Sequence, residues 1–352
     1  MTSDYQQSSL PRVGVVGATG AVGREIIDCL ERRNFPLSGL RLFASERSAG
    51  QKLPWRGGTL AIEALDDRSL TQVDIALCSA GSAVTKQYAP TAGPQTVIID
   101  NSSAFRMDPD VPLVVTEVNA VRIGAHKGII ANPNCVAIIA SLALWPLNRE
   151  NPIRRITAAT YQSASGAGAA AMEELRASTA AHLAGHAYAP KVLPHPYAFN
   201  VFSHNTAVDP ATGDNDEETK VARELRRIME MPSLAIGITC LRVPVLRAHT
   251  IVMSVGFDKP MRPEAVREIL SGAPGVVVVD DPDRNHFPMP VEASGRDEVL
   301  AGRFRIDRSD PEGRTVSMIV VGDQLLKGAA LNAVQIAELL PKAGVYPTRP
   351  VR

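Results

Sequence analysis

No stretch of this 352-residue chain is apolar for long enough to span a membrane. Met1 to Leu10 are polar and lack the apolar centre of a signal peptide. Both absences predict a soluble, cytoplasmic protein. Neither sign of charge is in excess, because 37 Lys and Arg balance 37 Asp and Glu. A neutral chain has no global field to draw in nucleic acid or an anionic membrane, so any anionic substrate must be held by a few local cations. Cysteine is scarce, and Cys29, Cys78, Cys135 and Cys240 form no CxxC pair. That argues against a metal knuckle, and four scattered cysteines in a chain this long read as reduced thiols, not as a disulfide framework. No internal repeat is visible, and no metal site is expected.

What is present begins with length, which predicts two domains. The N-terminal part alternates short apolar runs with helical patterns. Arg12 to Val16, Leu40 to Ala44, Asp74 to Cys78, Val97 to Asp100 and Gly128 to Ala131 read as strands, and Val22, Ile26, Ile27 and Leu30 recur at helical spacing. This alternation predicts an α/β, Rossmann-type parallel sheet. A helix is expected from Cys135 through Leu147. Longer strand patterns follow at 155–161, 234–243, 250–257, 276–280 and 315–321, predicting an α+β domain on a mixed sheet with proline-rich loops at 190–196 and 281–290. Residues 325–340 read as a strongly amphipathic helix.

Directly after the first strand comes Gly17-Ala-Thr-Gly20-Ala-Val-Gly23. Glycines at a strand-to-helix turn let the backbone approach a pyrophosphate, which the helix N-terminus then faces. The spacing is GxxGxxG rather than GxGxxG, and the bland alternative is a plain tight turn. Gly17, Thr19, Gly20, Ala21 and Val22 are the candidate cofactor residues. The second strand ends Phe43-Ala-Ser-Glu46-Arg47-Ser48. Arg47 and Ser48 suit the 2′-phosphate of NADP, whereas Glu46 could instead face a ribose diol, and Arg47 by itself could be a solvated loop charge.

Asn132-Pro-Asn134-Cys135 closes a strand and opens an apolar helix. A cysteine at a helix N-terminus feels the positive end of the dipole, which lowers its thiol pKa. Neighbouring amides, with Asn134 as a further donor, suit an oxyanion beside the sulfur. Cys29, Cys78 and Cys240 fall in apolar helix or strand patterns and read as structural. A thiolate beside a dinucleotide fold suggests thioester chemistry linking an aldehyde to an acyl phosphate or acid.

The glycine loop, Asn132-Pro-Asn-Cys135, Tyr161-Gln-Ser-Ala-Ser-Gly-Ala-Gly168, Glu217-Glu-Thr-Lys220, and Leu241-Arg-Val-Pro244 followed by Arg247-Ala-His249 together resemble the aspartate-semialdehyde dehydrogenase family in order and spacing, from about Arg12 to about Leu340. The resemblance implies a Rossmann domain of 1–134 plus 325–352, completed by the last helix. It also implies a catalytic and dimerisation domain of 135–324, in a homodimer or dimer of dimers. It implies Cys135 as the acylated nucleophile and His249 as general acid/base. Gln162 would orient the substrate, Arg242 would pair with its α-carboxylate and Glu217 with its α-ammonium. Arg106 and Lys220 would bind phosphate, and Ser165, Gly166 and Gln324 would complete the NADP site. The implied substrates are aspartyl phosphate, aspartate semialdehyde and phosphate, on the route to lysine, methionine and threonine.

Single residues carry little without the joint pattern. Glu217 and Lys220 lie in an acidic run that by itself is a solvated helix start. His126, His182, His186, His195, His204 and His286 read as ordinary histidines, and no role falls on 182–203 or 281–295. Two other readings stay open: an N-acetyl-γ-glutamyl-phosphate reductase, with the same chemistry on a longer, acylated substrate, and a noncatalytic NADP-binding paralogue. A carboxylate at Glu217 suits a free ammonium and has no charge to pair with in an amide. The cysteine motif of glyceraldehyde-phosphate dehydrogenase is not seen.

Overall fold

A computed structural model describes residues 10–341. The chain divides into two compact units, one of residues up to 114 with 120–132 and 333 onward, the other of 115–119 and 133–332.

The first unit contains β1 (Arg12–Val16), α1 (Ala21–Arg32), β2 (Gly39–Ala44), β3 (Lys52–Trp55), β4 (Gly58–Ala64), β5 (Ile75–Cys78), α2 (Ser82–Tyr88), β6 (Val97–Asp100) and β7 (Ile129–Ala131). They build a seven-stranded sheet in the order β3-β4-β2-β1-β5-β6-β7. All neighbours pair in parallel except β3 and β4. β5 and β6 are buried at every position, as a parallel sheet covered on both faces requires. The chain leaves β1 for β2 on one side and reaches β5 on the other, so the strand order reverses at the carboxyl end of β1. That end of an open α/β sheet is where a ligand crevice forms, and here it carries the glycine loop.

The β3–β4 hairpin is not visible in the sequence pattern. Its two-residue turn, Arg56-Gly57, holds φ values of +45° and +77°, the backbone that suits a tight hairpin. Pro54 is tolerated because β3 is an edge strand.

The second unit contains α3 (Thr116–Asn119), α4 (Cys135–Glu150), β8 (Ile153–Gln162), α5 (Ala169–Leu183), β9 (Phe202–Ser203), α6 (Asp216–Ile228), β10 (Ala235–Arg242), β11 (His249–Phe257), α7 (Pro263–Ser271), β12 (Val276–Val278), α8 (Pro290–Ala293), β13 (Val299–Ile306) and β14 (Thr315–Gly322). The sheet is mixed, as expected, in the order β12-β13-β14-β11-β8-β10-β9. Along β11, buried and half-buried residues alternate strictly, so one sheet face is sealed and the other only partly covered. α4 packs on this sheet and is buried on almost every side.

The expected amphipathic helix at 325–340 needs correction. It opens as a π-helical turn, Leu326–Ala330, and continues as α9 (Leu331–Leu339). Residues 325–334, 336 and 337 are all buried, including Lys327 and Asn332. The apolar pattern therefore marks a segment covered nearly all round, not a surface stripe. Its C-terminal part belongs to the first unit, where Arg33 donates two hydrogen bonds of 2.7 Å to Glu338.

Candidate active site

Three strands of the second sheet bring their ends to one level. β8 and β10 run parallel in register and finish as cross-strand partners at Gln162 and Arg242. β11 runs the other way beside β8 and begins at His249, one residue before Thr250 pairs with Tyr161. Residues 80 apart in sequence thus present their side chains together because sheet register places them there. All three are buried. The loops beyond are stitched by the Ala164 and Ser165 N–H groups donating to the carbonyls of Val245 and Leu246. Gly166 closes the site: a Cβ there would sit 2.9 Å from His249 Cε1 and 3.1 Å from Arg242 Nη1, so a side chain would push the ring or the guanidinium aside.

Cys135 is the first residue of α4 and is half-exposed, whereas Cys29, Cys78 and Cys240 are buried. Asn134 is its N-cap, and Asn134 Oδ1 accepts from the Val136 and Ala137 N–H groups. The Asn134 amide donates to Glu217 Oε1 at 2.9 Å, and the Gln162 amide donates to the same oxygen at 3.1 Å. Asn134 thus spends its carbonyl on capping and one N–H on Glu217. Its main part in this geometry is to hold the cysteine turn and the carboxylate together. Glu217 sits in the first turn of α6, whose N-cap Asn215 forms a capping box with Glu218. Lys220, one turn further on, is half-exposed and 4.0 Å from Asp216.

The orientation of His249 follows from one backbone donor. The Ser163 N–H donates to His249 Nδ1 at 3.0 Å, with Ser163 Oγ also 3.0 Å away. A backbone N–H can only donate, so Nδ1 accepts and the neutral ring carries its proton on Nε2. Nε2 is buried and, among the described residues, has no hydrogen-bond partner. Ala248, immediately before it, holds a φ of +71°, a left-handed conformation that is costly for a residue with a Cβ. Gln324 helps to hold this turn by accepting from the Ala248 N–H at 2.9 Å, and its amide bonds Ser165 Oγ.

Beyond Gln324, the π-helical turn carries Lys327 and Gly328. A Cβ on Gly328 would lie 3.0 Å from Cys135 Cβ, so the turn presses directly on the cysteine. Lys327 Nζ is buried and donates to Glu117 at 2.6 Å, Asn332 at 3.1 Å and Thr116 at 3.3 Å. Such a cation is tolerated only because it is fully paired.

The first unit holds the remaining predicted residues. Gly17 has φ +83°, and a Cβ there would lie 2.9 Å from the Ala80 nitrogen; at Gly23 it would lie 2.1 Å from the Gly17 carbonyl oxygen. Only glycines close this turn, which leaves Gly20 exposed as the N-cap of α1. That helix has no side-chain N-cap, and its first amides lack partners within the helix, a donor set that fits a dinucleotide pyrophosphate. Glu46, Arg47 and Ser48 form a short 3-10 turn after β2, and Arg47 is exposed. Arg106 is braced by donating to the carbonyls of Asn132 at 2.9 Å and Asn101 at 2.7 Å.

Burial and charge set the protonation states. Burial drives the His249 pKa well below 6.5, and Arg242 and His204 push it further down. Burial and then Arg242 lower His204 to about 4. For Glu217, burial raises the pKa, but His204, Asn134, Gln162 and Arg242 outweigh it and hold the carboxyl below its ordinary value. The unfolded chain binds protons at both histidines near pH 6.5, while the folded chain resists until about pH 4 at His204 and until well below 6.5 at His249. Between those values the unfolded state binds more protons, so stability falls as the pH drops. Glu217 adds to the same loss at lower pH. Urea unfolding should therefore show a lower midpoint at pH 5 than at pH 7, and His204→Asn should reduce that difference. An unshifted midpoint would contradict these buried neutral histidines.

The structure brings Asn134, Cys135, Gln162, Ser165, Gly166, Glu217, Arg242, His249 and Gln324 into one unit. Several of its members escape the sequence reading. His204 is buried, and Asn205, Thr206, Ser163 and Gly328 contact the site residues. Among the described residues no helix is long and apolar enough to cross a membrane, and no group of His, Cys, Asp and Glu is arranged to hold a metal ion.

Comparison with known proteins matches residues 12–126 to the semialdehyde dehydrogenase NAD binding domain and residues 144–327 to the semialdehyde dehydrogenase dimerisation domain. The aspartate-semialdehyde dehydrogenase of Synechocystis is 48% identical over 338 residues, covering 95% of this chain and 98% of the relative. That of Aquifex aeolicus is 48% identical over 340 residues, covering 95% and 99%. The crystal structure of aspartate semialdehyde dehydrogenase II from Vibrio cholerae, solved also in complex with ASA, superposes with a TM-score of 0.91 at 39% identity, covering 95% of this chain and 99% of that one.

Proposed function

We propose that this chain, which belongs to the aspartate-semialdehyde dehydrogenase family, reduces L-aspartyl-4-phosphate to L-aspartate semialdehyde and phosphate with NADPH through a thioester on Cys135. The family is one of NAD(P)-dependent oxidoreductases. The observation that carries the reading is the convergence of Gln162, Arg242 and His249 at three strand ends, with Glu217 tied to the turn that presents Cys135.

The substrate is an amino acid at one end and an acyl phosphate at the other. Arg242 pairs with the α-carboxylate, for which a planar guanidinium is suited. Glu217, held as a carboxylate, takes the α-ammonium. Arg106 and Lys220 receive the phosphate. Fixing both ends confines the acyl carbon near Sγ, which in favourable cases supplies about 7–11 kcal/mol of the barrier. The Cys135 thiolate attacks that carbon, a C–S bond forms, and phosphate leaves with the electron pair of the broken C–O bond. A bound nicotinamide dinucleotide supplies the hydride that reduces the thioester. His249 holds its Nε2 proton at the carbonyl oxygen while negative charge builds there. When the C–S bond breaks, the C=O bond re-forms and the thiolate returns.

Gly17, Thr19, Gly20, Ala21 and Val22 hold the pyrophosphate, Arg47 and Ser48 the 2′-phosphate, and Ser165, Gly166 and Gln324 the nicotinamide end. The same reading assigns dinucleotide binding to the first unit, and catalysis and dimerisation to the second. In a homodimer, a second copy covers the half-buried sheet face. The product leads toward lysine, methionine and threonine.

The test is phosphate-dependent reduction of NADP by aspartate semialdehyde, followed by absorbance, against a panel that includes N-acetylglutamate semialdehyde. Faster turnover of the N-acetylated compound would displace this reading. In the same assay Arg47→Ala should raise the KM for NADP by about tenfold and leave that for NAD nearly fixed, because only the former loses a charge-assisted contact. Equal effects on both would remove Arg47 from the 2′-phosphate.

A further inference from the structure

The three residues that follow β9 link both groups assigned to the amino-acid end of the substrate. Asn205 Oδ1 accepts from Arg242 Nε at 3.0 Å. Arg242 Nη1 donates to the Ser163 carbonyl at 3.2 Å, so two different nitrogens are tethered and the guanidinium plane is fixed. Thr206 Oγ1 accepts from the Glu217 N–H at 3.2 Å, one of the orphan amides of the first turn of α6. The same hydroxyl lies 3.2 Å from His204 Nδ1. The His204 N–H donates to the Cys240 carbonyl at 2.9 Å, two residues before Arg242, and the Asp216 N–H donates to the Ala207 carbonyl at 2.8 Å. The segment is therefore bonded to the end of β10 on one side and to the start of α6 on the other.

We propose that Asn205 and Thr206 are positioning residues that set the aim and separation of Arg242 and Glu217, and so make the site select aldehydes that bear both an α-carboxylate and an α-ammonium. The proposal rests on the roles given to Arg242 and Glu217 above. Without Asn205, the guanidinium keeps one tether and swings about it. Without the Thr206 hydroxyl, a first-turn amide of α6 loses its acceptor and Glu217 drifts with its backbone. Neither residue needs to touch the substrate.

Each residue thus governs one end of the substrate, and the experiment compares aspartate semialdehyde with 3-aminopropanal, which lacks the carboxylate, and succinate semialdehyde, which lacks the ammonium. Asn205→Leu should cut the preference for aspartate semialdehyde over 3-aminopropanal by about tenfold, mainly through KM. Thr206→Val should narrow the preference over succinate semialdehyde by roughly fivefold, and Thr206→Ser should restore it. A fall in kcat/KM by one common factor on all three aldehydes indicates a merely structural part and overturns the proposal. A crystal structure of Asn205→Leu gives a readout independent of turnover. The Arg242 guanidinium should turn about its remaining bond to the Ser163 carbonyl, with Nε displaced from its wild-type place, and an unmoved guanidinium overturns the proposal. A wild-type protein inactive on aspartate semialdehyde, with the guanidinium displaced in the variant, would sink the proposed reaction and leave the positioning intact.

Discussion

Cys135→Ala should lower turnover of aspartate semialdehyde by about four orders of magnitude or more, the size of effect expected when a covalent nucleophile is removed, while dinucleotide binding should stay within a few-fold of wild type. The substitution deletes one sulfur and keeps the Cβ that lies against Gly328. Cys135 is half-exposed, and the N-cap that secures its helix is made by Asn134 with the Val136 and Ala137 amides, none of which the change removes. The glycine loop that fits the dinucleotide lies on the other compact unit. Mass spectrometry after mixing with acyl phosphate should show an acyl adduct on the wild type and none on the variant. Residual turnover within tenfold of wild type would mean the thioester is not on the path. Loss of dinucleotide binding would mean that the cysteine turn is coupled to cofactor capture. A wild type that binds NADPH but turns over no acyl phosphate would instead favour the noncatalytic reading.

How much of this could be seen in the sequence depends on the kind of contact. The parallel sheet was legible because its strands are uninterrupted apolar runs of ordinary strand length, separated by helical spacing. β3, β4 and β13 were not, because β3 contains Pro54, β4 is half-exposed, and β13 carries a register shift between Gly302 and Arg305 that breaks its alternation. Cys135, with Asn134 before it, was legible because a helix start is a local signal. Gln162, Arg242, Glu217 and His249 were named only through the joint motif pattern, since no local rule marks a residue at the end of a strand. Asn205 and Thr206 had no signal at all. Their partners lie 37 and 11 positions away, and the stretch reads as a polar loop. The last helix departed from its expected amphipathic form for a different reason: Lys327, of a type rarely buried, is enclosed here by Glu117, Thr116 and Asn332.

The tautomer of His249 separates two meanings of acid/base catalysis that sequence alone leaves merged. With Nδ1 accepting the Ser163 N–H, the resting ring offers a proton at Nε2 and no lone pair there. The same burial that lowers its pKa keeps the imidazole neutral at working pH. A neutral imidazole can polarise a carbonyl by donating a hydrogen bond. His249→Leu removes that donor and should lower kcat by about two to four orders of magnitude, the range for a positioned acid or base. His249→Gln places an amide N–H near the position of Nε2 and should recover at least about tenfold of the loss, because it restores the donor without restoring any group that titrates. The wild-type kcat should also show no acid limb near pH 6.5, the ordinary histidine value, since the ring is still neutral there. If His249→Gln is as inactive as His249→Leu, or if kcat falls through pH 6.5, the residue works as a base from the other tautomer. The Ser163 N–H would then have to give up Nδ1 during the cycle, and the 163–166 loop, which Gly166 lets lie against the ring, would be the element that moves.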